Sequence, residues 1–510
     1  MAEQQAEPWW RGAVVYQVYI RSFADSNGDG QGDFAGLTAK LDYIARLGVD
    51  ALWLSPIHPS PNRDWGYDVS DYDGVHRDYG TLADFDVLVR EAHARGIKVL
   101  LDEVLCHTSD EHEWFADSLA RGTKSDWYVW AETRPDGTSP NNWLSAFGGP
   151  AWSYRPERRQ HYHHKFLRQQ PKLNWRNADA KRAALDVLDL WLKRGANGFR
   201  LDVANAYFHD AALGDNPAVP MDKRTAANWS HAANLQRHLH DSNLPDNIEA
   251  LREIRATVER HANRFVFGEF SEGFERAGAY AADGLHANYT FEMLRARKLA
   301  PGFVLKEIAT LAQHPHYWPC VSFCNHDIVR TVTRFGGGAT GNPALAKLML
   351  ALLCSLRGTV LLYQGEELGL PEVDLRRDQL RDPVGDLYYP AAKGRDGCRT
   401  PMPWDASAPN LGFTTGTPWL PLGETHRALA VSEQECDTQS TLNFARAFLA
   451  RRKASAALRH GSIEALDVPA PVLAFTRTYG TEQTRCVFNM SGDEVRYEGG
   501  KLAPYGFEIR

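Results

Sequence analysis

Short apolar segments alternate with longer amphipathic segments along most of the chain. The amphipathic segments carry apolar residues at helical spacing and predict helices over 81–95, 179–194, 249–262 and 343–356. The apolar segments predict strands at VVYQVYI (14–20), DALWLSP (50–56), IKVLLDEV (97–104), GFRLDVA (198–204), RFVFGEF (264–270), ANYTF (287–291), CVSFCNHD (320–327) and TVLLYQGEE (359–367). Strands that alternate with helices indicate a parallel sheet covered by helices.

The number of strand–helix units indicates an α/β fold class. Eight units are typical of a (β/α)8 TIM barrel. A doubly wound open sheet is the alternative, but the GxGxxG turn that its nucleotide-binding members carry does not follow the first predicted strand. The sequence therefore favours the barrel.

Two parts of the chain depart from the repeat. From His107 to about Trp175, a connection rich in Trp, Pro, Gly and His follows the third strand, and its length predicts an inserted subdomain. From about Gly461, short apolar runs predict a small C-terminal β domain. The predicted divisions are 1–107 and 176–460 for the barrel, 108–175 for the inserted subdomain and 461–510 for the C-terminal β domain.

Composition narrows the classes of function. The 510 residues carry a formal net charge of −7, which argues against a nucleic-acid-binding surface. The seven cysteines form no CxxC pair, so we expect free thiols in a reducing compartment and no zinc cluster. No apolar run reaches the roughly 18 residues of a membrane span, and the first residues lack the apolar core of a signal peptide. We therefore expect a cytoplasmic protein without a membrane or nucleic-acid partner.

The segment GFRLDVANAY (198–207) raises the first question about chemistry, because it carries two charges on an apolar strand. Side chains alternate along a strand, so Arg200 and Asp202 share one face. A buried structural ion pair is one interpretation. The ends of other predicted strands also carry polar residues, namely Asp102 and His107, Glu269, and His326 and Asp327. Carboxylates gathered at one barrel mouth repel each other, and this arrangement favours an active site.

Carboxylates without metal-ligand spacing suggest acid–base or nucleophilic chemistry. Glycoside hydrolysis needs one ionised carboxylate and one protonated carboxyl group. Asp202 is the candidate nucleophile, and Arg200 beside it is expected to lower its pKa. Glu269 lies among phenylalanines and further carboxylates, so we expect a raised pKa and the role of acid. His107 and His326 can donate hydrogen bonds to sugar hydroxyls.

Five segments resemble the conserved regions of the alpha-amylase superfamily, glycoside hydrolase family 13. They are DEVLCH (102–107), QPKLN (170–174), GFRLD (198–202), GEF (268–270) and FCNHD (323–327). The resemblance covers nearly the whole chain. It implies that Asp202 is the nucleophile, Glu269 the general acid–base and Asp327 the transition-state stabiliser. It also implies that the subsite for the glucosyl ring is formed by Asp102, His107, Arg200 and His326.

Within the superfamily, the chain resembles the oligo-1,6-glucosidase and alpha-glucosidase group. RDWGYDVSDY (63–72) is similar to the group's glucose-recognition segment, which implies that Asp64 and Tyr67 bind the non-reducing end and make the enzyme exo-acting. GRDGCRTPMPW (394–404) is similar to a segment that would bring Arg399 near the scissile bond. The resemblance further implies that the pocket wall includes Phe147 and Phe166, for which plain core packing is the alternative.

The loop DSNGDGQGD (25–33) resembles a loop of this group that binds one calcium or magnesium ion. The implied ligands are Asp25, Asn27, Asp29, Asp33 and the backbone carbonyl of Gln31. Oxygen ligands at alternating positions suit a hard cation. An acidic glycine-rich turn without metal is the alternative. The implied role of the ion is structural, and no organic cofactor is expected.

Several positions differ from the group's pattern. Cys106 stands where Asn is usual, and Lys172 stands where many members have an acid. Val203, after the nucleophile, resembles members that cleave 1,6 bonds. The loop from Tyr207 to about Asn247 instead resembles bacterial alpha-glucosidases that act on short substrates, and a long loop there would exclude polymers. We give the loop more weight, because it covers more sequence.

The sequence predicts a retaining exo-acting alpha-glucosidase for disaccharides and short alpha-glucosides, which forms a covalent glucosyl intermediate on Asp202. Transfer to a sugar acceptor can compete with hydrolysis. An oligo-1,6-glucosidase and a sucrose isomerase or trehalose synthase-type transfer enzyme are alternatives. A catalytically inactive barrel that serves as a partner protein is an alternative of another class, but such members lack the catalytic acids. Linkage, aglycone, cation and oligomeric state stay open.

Overall fold

A computed structural model of the protein describes residues 7–225, 232–270, 283–338, 340–498 and 500–510. Its central sheet consists of the parallel strands β1 (Val14–Val18), β2 (Ala51–Leu54), β3 (Lys98–Glu103), β4 (Gly198–Leu201), β5 (Phe265–Phe270), β6 (Ala287–Thr290), β7 (Cys320–Val321) and β8 (Thr359–Tyr363). The strands pair in the order β7-β8-β1-β2-β3-β4-β5-β6. A parallel bridge between Asn288 and Pro319 joins β6 to the start of β7 and closes the barrel. The α/β class and the (β/α)8 TIM barrel are therefore as predicted.

Several helices begin at residues whose side chains cap free backbone N–H groups. Thr81 and Asp84 form a capping box at one predicted helix, and Asn177 accepts two backbone N–H bonds at another. The α-helices of the described residues are α1 (Phe34–Ala39), α2 (Leu41–Leu47), α3 (Leu82–Ala94), α4 (Glu113–Leu119), α5 (Ala178–Lys193), α6 (Asp246–Glu259), α7 (Phe291–Arg295), α8 (Pro301–Gln313), α9 (Pro343–Ser355), α10 (Pro383–Tyr388), α11 (Val431–Cys436), α12 (Thr441–Ala454) and α13 (Ala456–His460). The four predicted helices correspond to α3, α5, α6 and α9.

Alternation along the strands separates two layers of core. Leu100 and Phe267 lie in the buried cluster inside the barrel, whereas Val99 packs in the cluster between strands and helices. Asp102 and Glu269 stand two residues further along β3 and β5, so they continue the inward face. The alternation thus carries apolar side chains in the barrel interior and charged ones at its mouth.

The strand register places the charged residues at the ends of β3 and β4 side by side. Asp102 is paired with Arg200 across β3 and β4, and Arg200 with Phe267 across β4 and β5. Gly198 starts β4 at φ +148°, and a Cβ there would lie 1.7 Å from the carbonyl oxygen of Phe265. Only glycine allows this close approach of two backbones.

The segment after β3 contains a three-stranded antiparallel sheet. Its strands are Trp130–Ala131, Gln160–His163 and Trp152–Arg155, with Gln160–His163 in the centre. The sheet lies within the predicted inserted subdomain. The exact boundaries of that subdomain stay a prediction.

The C-terminal part carries an antiparallel sheet of Ser462–Ala465, Val472–Tyr479, Glu482–Asn489 and Phe507–Ile509, and a smaller sheet of Val495–Tyr497 and Gly500–Leu502. Buried Arg477 joins the larger sheet to the barrel, since its guanidinium donates to the carbonyl oxygen of Ser355, the last residue of α9 (2.7 Å). None of the helices in the described ranges combines the length and apolar character that a bilayer span needs.

Candidate active site

The carboxyl ends of the barrel strands open into a cavity of about 1230 Å³. Eight of the twelve residues predicted for catalysis and sugar binding line it, namely Asp64, Tyr67, His107, Phe147, Phe166, Asp202, Glu269 and Asp327. The remaining four predicted residues, Asp102, Arg200, His326 and Arg399, are buried and contact residues that line the cavity. The predicted set therefore forms one site with an inner layer and a supporting layer.

Arg200 is the centre of the supporting layer. Its Nη1 donates to Asp102 Oδ1 (2.6 Å) and to Asp202 Oδ1 (2.8 Å), and its Nη2 lies 2.7 Å from Glu269 Oε2. The Arg200 side chain is only 1% exposed. One guanidinium with a fixed fork of donors thus orients two carboxylates of the cavity floor.

The pKa values of the two floor carboxylates rise together. Burial is the largest effect on Asp202 and raises its pKa to about 7; Arg200 lowers that pKa, and the charges of Asp102 and Asp327 raise it. Arg200 acts in the predicted direction, but the prediction of a lowered pKa for Asp202 is wrong because burial is the larger effect.

Burial also raises the pKa of Glu269 to about 7, and this direction was predicted. Arg200 opposes the rise, and Asp202 adds to it. Two interacting carboxylates with similar raised pKa values hold about one proton between them near neutral pH. One carboxylate and one carboxylic acid are the states that a retaining glycosidase needs.

Asp327 has the opposite environment. Arg399 Nη2 donates to its Oδ1 (2.8 Å), and Arg395 Nη1 lies 3.3 Å from the same oxygen. Burial raises the pKa of Asp327, but His326, Arg395 and Arg399 together hold it below its usual value. Burial lowers the pKa of His326 itself to about 3, so its ring is neutral at pH 7 and the two guanidinium groups carry the effect on Asp327. Asp327 is therefore ionised.

A chain of hydrogen bonds sets the state of His326. Gln17 Nε2 lies 2.7 Å from His326 Nδ1, and His326 Nε2 lies 2.6 Å from the hydroxyl of Tyr67. An amide nitrogen only donates, so Nδ1 accepts and the proton is on Nε2. The Tyr67 hydroxyl in turn donates to Asp102 Oδ2 (3.0 Å). Gln17 was not predicted as a site residue, and its only signal in the sequence is its polar side chain on the apolar first strand.

An ion pair lies beside Asp327 in the cavity. Arg395 Nη2 is 2.7 Å from Asp64 Oδ1 and 2.7 Å from Asp382 Oδ1. Gln170 Nε2 donates to the other oxygen of Asp64 (3.1 Å). Arg395 was not predicted as a site residue, whereas Arg399 from the same segment was. The structure has Arg395 on the cavity wall and Arg399 buried behind Asp327.

Aromatic rings and one histidine form a wall of the cavity. Phe147 and Phe166 meet edge to face with ring centroids 6.1 Å apart, and the ring of His107 lies 5.4 Å from that of Phe166. Both phenylalanines line the cavity, so they are not plain core residues. His107 Nε2 is 2.9 Å from the carbonyl oxygen of Tyr67, and its buried Nδ1 has no hydrogen-bond partner within the described ranges.

The inserted segment and the loop after β4 are joined at the cavity mouth. Asn142 Nδ2 donates to the carbonyl oxygen of Asn216 (2.9 Å), and Trp143 Nε1 donates to that of Gly214 (2.8 Å). Lys165 Nζ donates to Ser242 Oγ (2.7 Å). The two segments thus form one continuous rim. Part of the predicted long loop, residues 226–231, lies outside the described residues.

In the predicted cation loop, carboxylate side chains accept hydrogen bonds from backbone N–H groups in and next to the loop. Asp25 Oδ1 accepts from the N–H groups of Asn27 (2.9 Å) and Gly28 (2.8 Å), and Asp33 caps α1 by accepting from Gly36 N–H (2.6 Å). Alternating side-chain oxygens of the type that hard cations prefer are present. No group of three His, Cys, Asp or Glu side chains suited to a metal occurs among the residues with a described position. The loop therefore fits a cation only if Asn27 and the carbonyl of Gln31 supply ligands, and the cation stays a prediction.

Comparison with known proteins places this chain in a family. A model of the alpha-amylase catalytic domain matches residues 17–461. The chain belongs to the alpha-amylase family. The predicted membership of this family is therefore confirmed, and with it the prediction of a glycoside hydrolase. Every predicted residue of the cavity floor lies within the matched range.

Several alpha-amylase family relatives match this chain over nearly its whole length. A probable alpha-glucosidase from Rhizobium meliloti (strain 1021) is 48% identical over 502 residues, which cover 96% of this chain and 91% of the relative. An oligo-1,6-glucosidase from Parageobacillus thermoglucosidasius is 35% identical over 528 residues, which cover 95% and 90%. Among solved structures, the alpha-glucosyl transfer enzyme XgtA superposes with a TM-score of 0.95 at 47% identity, over 98% of this chain and 99% of that one.

Proposed function

We propose that this family member is a retaining, exo-acting alpha-glucosidase for disaccharides and short alpha-glucosides. The observation that carries the proposal is the Arg200 guanidinium, which contacts both Asp202 and Glu269 on the cavity floor. The likeness to an alpha-glucosidase and an oligo-1,6-glucosidase supports the substrate class.

In the first step, Glu269 donates its proton to the glycosidic oxygen while an Asp202 carboxylate oxygen attacks the anomeric carbon. The bond from the anomeric carbon to the leaving oxygen breaks, and a β-glucosyl ester of Asp202 forms. In the second step, Glu269 accepts a proton from water, whose oxygen displaces Asp202 and releases α-glucose. Retaining enzymes hold the two carboxyl groups about 5–5.5 Å apart, and we expect this separation here.

Ionised Asp327 accepts hydrogen bonds from hydroxyl groups of the glucosyl ring. Such bonds strengthen as positive charge develops on the ring, so they favour the transition state. His326 acts through Tyr67, because its Nε2–H donates to the Tyr67 hydroxyl and Gln17 occupies its other nitrogen.

Exo action follows from the pair of Asp64 and Arg395. Together they offer an acceptor and several donors to the hydroxyls of a terminal glucose. Extension of the sugar chain beyond this point would separate the two charges, which lie 2.7 Å apart. We therefore assign this pair to the non-reducing end of the substrate.

The joined rim of the inserted segment and the loop after β4 favours short substrates, because a closed rim restricts the approach of a polymer. Val203, which lines the cavity beside Asp202, favours cleavage of 1,6 bonds and keeps an oligo-1,6-glucosidase as the second candidate.

Initial rates on maltose, isomaltose, sucrose, trehalose and starch, measured in parallel with product analysis, test the proposal. We expect glucose from maltose, no action on starch, and α-glucose as the first anomer detected by NMR. A preference for isomaltose would favour the second candidate. Release of β-glucose, or rapid degradation of starch, would contradict a retaining exo-acting enzyme.

Glucosyl transfer is a second outcome of the same intermediate. The likeness to XgtA, an alpha-glucosyl transfer enzyme, supports it. A sugar or alcohol hydroxyl that replaces water in the second step would give a new α-glucoside. The ratio of transfer product to free glucose, measured at rising acceptor concentration, separates transfer from hydrolysis. Isomeric disaccharides formed from sucrose or maltose would instead favour an isomerase or trehalose synthase type of reaction.

We also propose that the loop 25–33 binds one structural divalent cation, calcium or magnesium. Elemental analysis of the purified protein, with thermal unfolding before and after chelation, tests this. We expect one equivalent of metal and a lower unfolding temperature after its removal. Protein without metal and with an unchanged unfolding temperature would favour the metal-free turn.

A further inference from the structure

Two of the positions that differ from the family pattern contact each other. Lys172 Nζ donates to Cys106 Sγ across 3.4 Å, although the residues are far apart in the sequence. The backbone explains the contact, because an antiparallel bridge pairs His107 with Lys172, and Leu173 N–H donates to the carbonyl oxygen of Cys106 (3.0 Å). The pair therefore joins the end of β3 to the last part of the inserted segment.

Among the residues that the structure describes, neither side chain has a carboxylate within hydrogen-bond distance. Both are fully buried, and Lys172 Nζ and Cys106 Sγ share the carbonyl oxygen of Ala206 as acceptor. An isolated buried ammonium is costly, so a thiolate partner or loss of the proton is favoured. Burial raises the pKa of the Cys106 thiol, but Lys172 and His107 together lower it by more, so the net change is downward. Burial lowers the pKa of Lys172, which favours a neutral amine.

A thiol in contact with an amine is a defined chemical arrangement, because the amine can take the thiol proton. The thiolate is the form of cysteine that reacts with peroxides, and the first product is a sulfenic acid. The Lys172 amine is within reach of that oxygen, since its nitrogen already contacts the sulfur.

We infer that Cys106 and Lys172 form an oxidative modification site, in which one oxygen atom links the sulfur and the nitrogen. Hydrogen peroxide is the oxidant. The thiolate first attacks one peroxide oxygen, an S–O bond forms, the O–O bond breaks and water leaves. A second peroxide then takes one hydrogen from the amine and one from the sulfenic acid, the N–O bond forms, and two more waters leave. Overall, one thiol, one amine and two peroxides give the S–O–N link and three waters.

The link would fasten the inserted segment to the barrel directly beside the cavity. His107, which lines the cavity, is next to Cys106, and Gln170, which donates to Asp64, is two residues before Lys172. The modification therefore adds a covalent constraint to one wall of the site. It depends on the local geometry and not on which α-glucoside is cleaved.

Peptide mass spectrometry of the full chain after hydrogen peroxide treatment tests the inference. We expect the peptides that contain Cys106 and Lys172 to be joined, with a mass equal to their sum plus one oxygen and minus two hydrogens. Dithiothreitol should separate them. Cys106→Ser and Lys172→Met should each abolish the joined species, while Cys436→Ser, at an exposed cysteine, should leave it unchanged.

Thermal unfolding gives an independent measurement. The unfolding temperature of oxidised wild-type protein should rise above that of the reduced protein, and this rise should be absent in either variant of the pair. Sulfinic or sulfonic acid on Cys106 without a joined peptide would overturn the inference. The same holds if peroxide modifies Cys436 and leaves Cys106 unchanged.

Discussion

Replacement of Arg200 by Met tests whether one buried guanidinium organises the reacting groups. Met keeps an unbranched side chain but removes the charge and all the donors. Two of the lost contacts, at 2.8 and 2.7 Å, are to Asp202 and Glu269. A hydrogen bond to a charged group contributes about 1.5–3 kcal/mol, so the two contacts together contribute about 3–6 kcal/mol. Because 1.36 kcal/mol is a factor of ten in rate, kcat/KM should fall roughly 10²- to 10⁴-fold.

The pH dependence of Arg200→Met provides a second, more specific result. In the wild type the pair of Asp202 and Glu269 binds one proton near pH 7, so kcat/KM should be bell-shaped with its maximum near there. Arg200 lowers both pKa values. Without it, burial is less opposed, both carboxyl groups lose their protons at higher pH, and the maximum should move to higher pH.

The assay is kcat/KM on maltose across the pH range, with circular dichroism to establish that each protein is folded. Arg452→Met is the matched control. Arg452 is equally buried, but it donates to the carbonyl oxygens of Cys354 (2.6 Å) and Gly358 (2.8 Å), outside the cavity lining. It should lower the unfolding temperature without moving the pH maximum. A folded Arg200→Met protein with less than a tenfold loss and an unmoved maximum would refute the reasoning.

Three further predictions concern the nucleophile, the cavity end and a remote ion pair. Asp202→Asn should lower kcat roughly 10⁴-fold with an unchanged circular dichroism spectrum, since it removes the attacking oxygen, and near-normal turnover would disprove the assignment. Arg395→Met leaves Asp64 without its cation and should lower kcat/KM on maltose roughly 10- to 100-fold, whereas an equal rate would exclude it from substrate binding. Burial lowers the pKa of His58, but Glu103 (3.2 Å) raises it more, so its folded pKa lies above the unfolded value of 6.5. The stability that this pair contributes is fully present below pH 6.5 and is lost as pH rises through the folded pKa of His58. His58→Gln should lower the free energy of unfolding by about 1–3 kcal/mol at pH 6 and should remove this part of its pH dependence. If the free energy of unfolding of wild type and variant changed in parallel with pH, the assignment would be contradicted.

Much of the fold and the floor of the site could be predicted from the sequence, because both depend on local periodicity. Each of the eight predicted strands contains a strand of the barrel, and alternation along β3, β4 and β5 directs Asp102, Arg200 and Glu269 inward. Parallel strands of a closed barrel end at one mouth, so polar strand ends had to converge. The roles that these residues have in catalysis stay predictions until kinetics test them.

Other features depended on distances that no local pattern encodes. Arg395 and Arg399 lie four residues apart in one irregular segment, and only the chain path puts the first on the cavity wall and the second behind Asp327. Gln17 reaches His326 from a strand that is distant in sequence. The direction of the pKa shift of Asp202 could not be predicted either. The sequence shows that Arg200 is close, but not that burial raises the pKa by more than Arg200 lowers it.

The sequence by itself thus determined which segments are strands, which faces they bury and which acids stand at their ends, since side-chain direction alternates with a period that can be counted. The tertiary structure decided which of these groups touch. Cys106 and Lys172 illustrate the difference: each is a visible departure from the family pattern, but their contact exists only because a bridge between β3's end and the inserted segment brings the two backbones together. Electrostatic and hydrogen-bond energies fall steeply with distance, so the chemistry of this site is settled by contacts between distant segments.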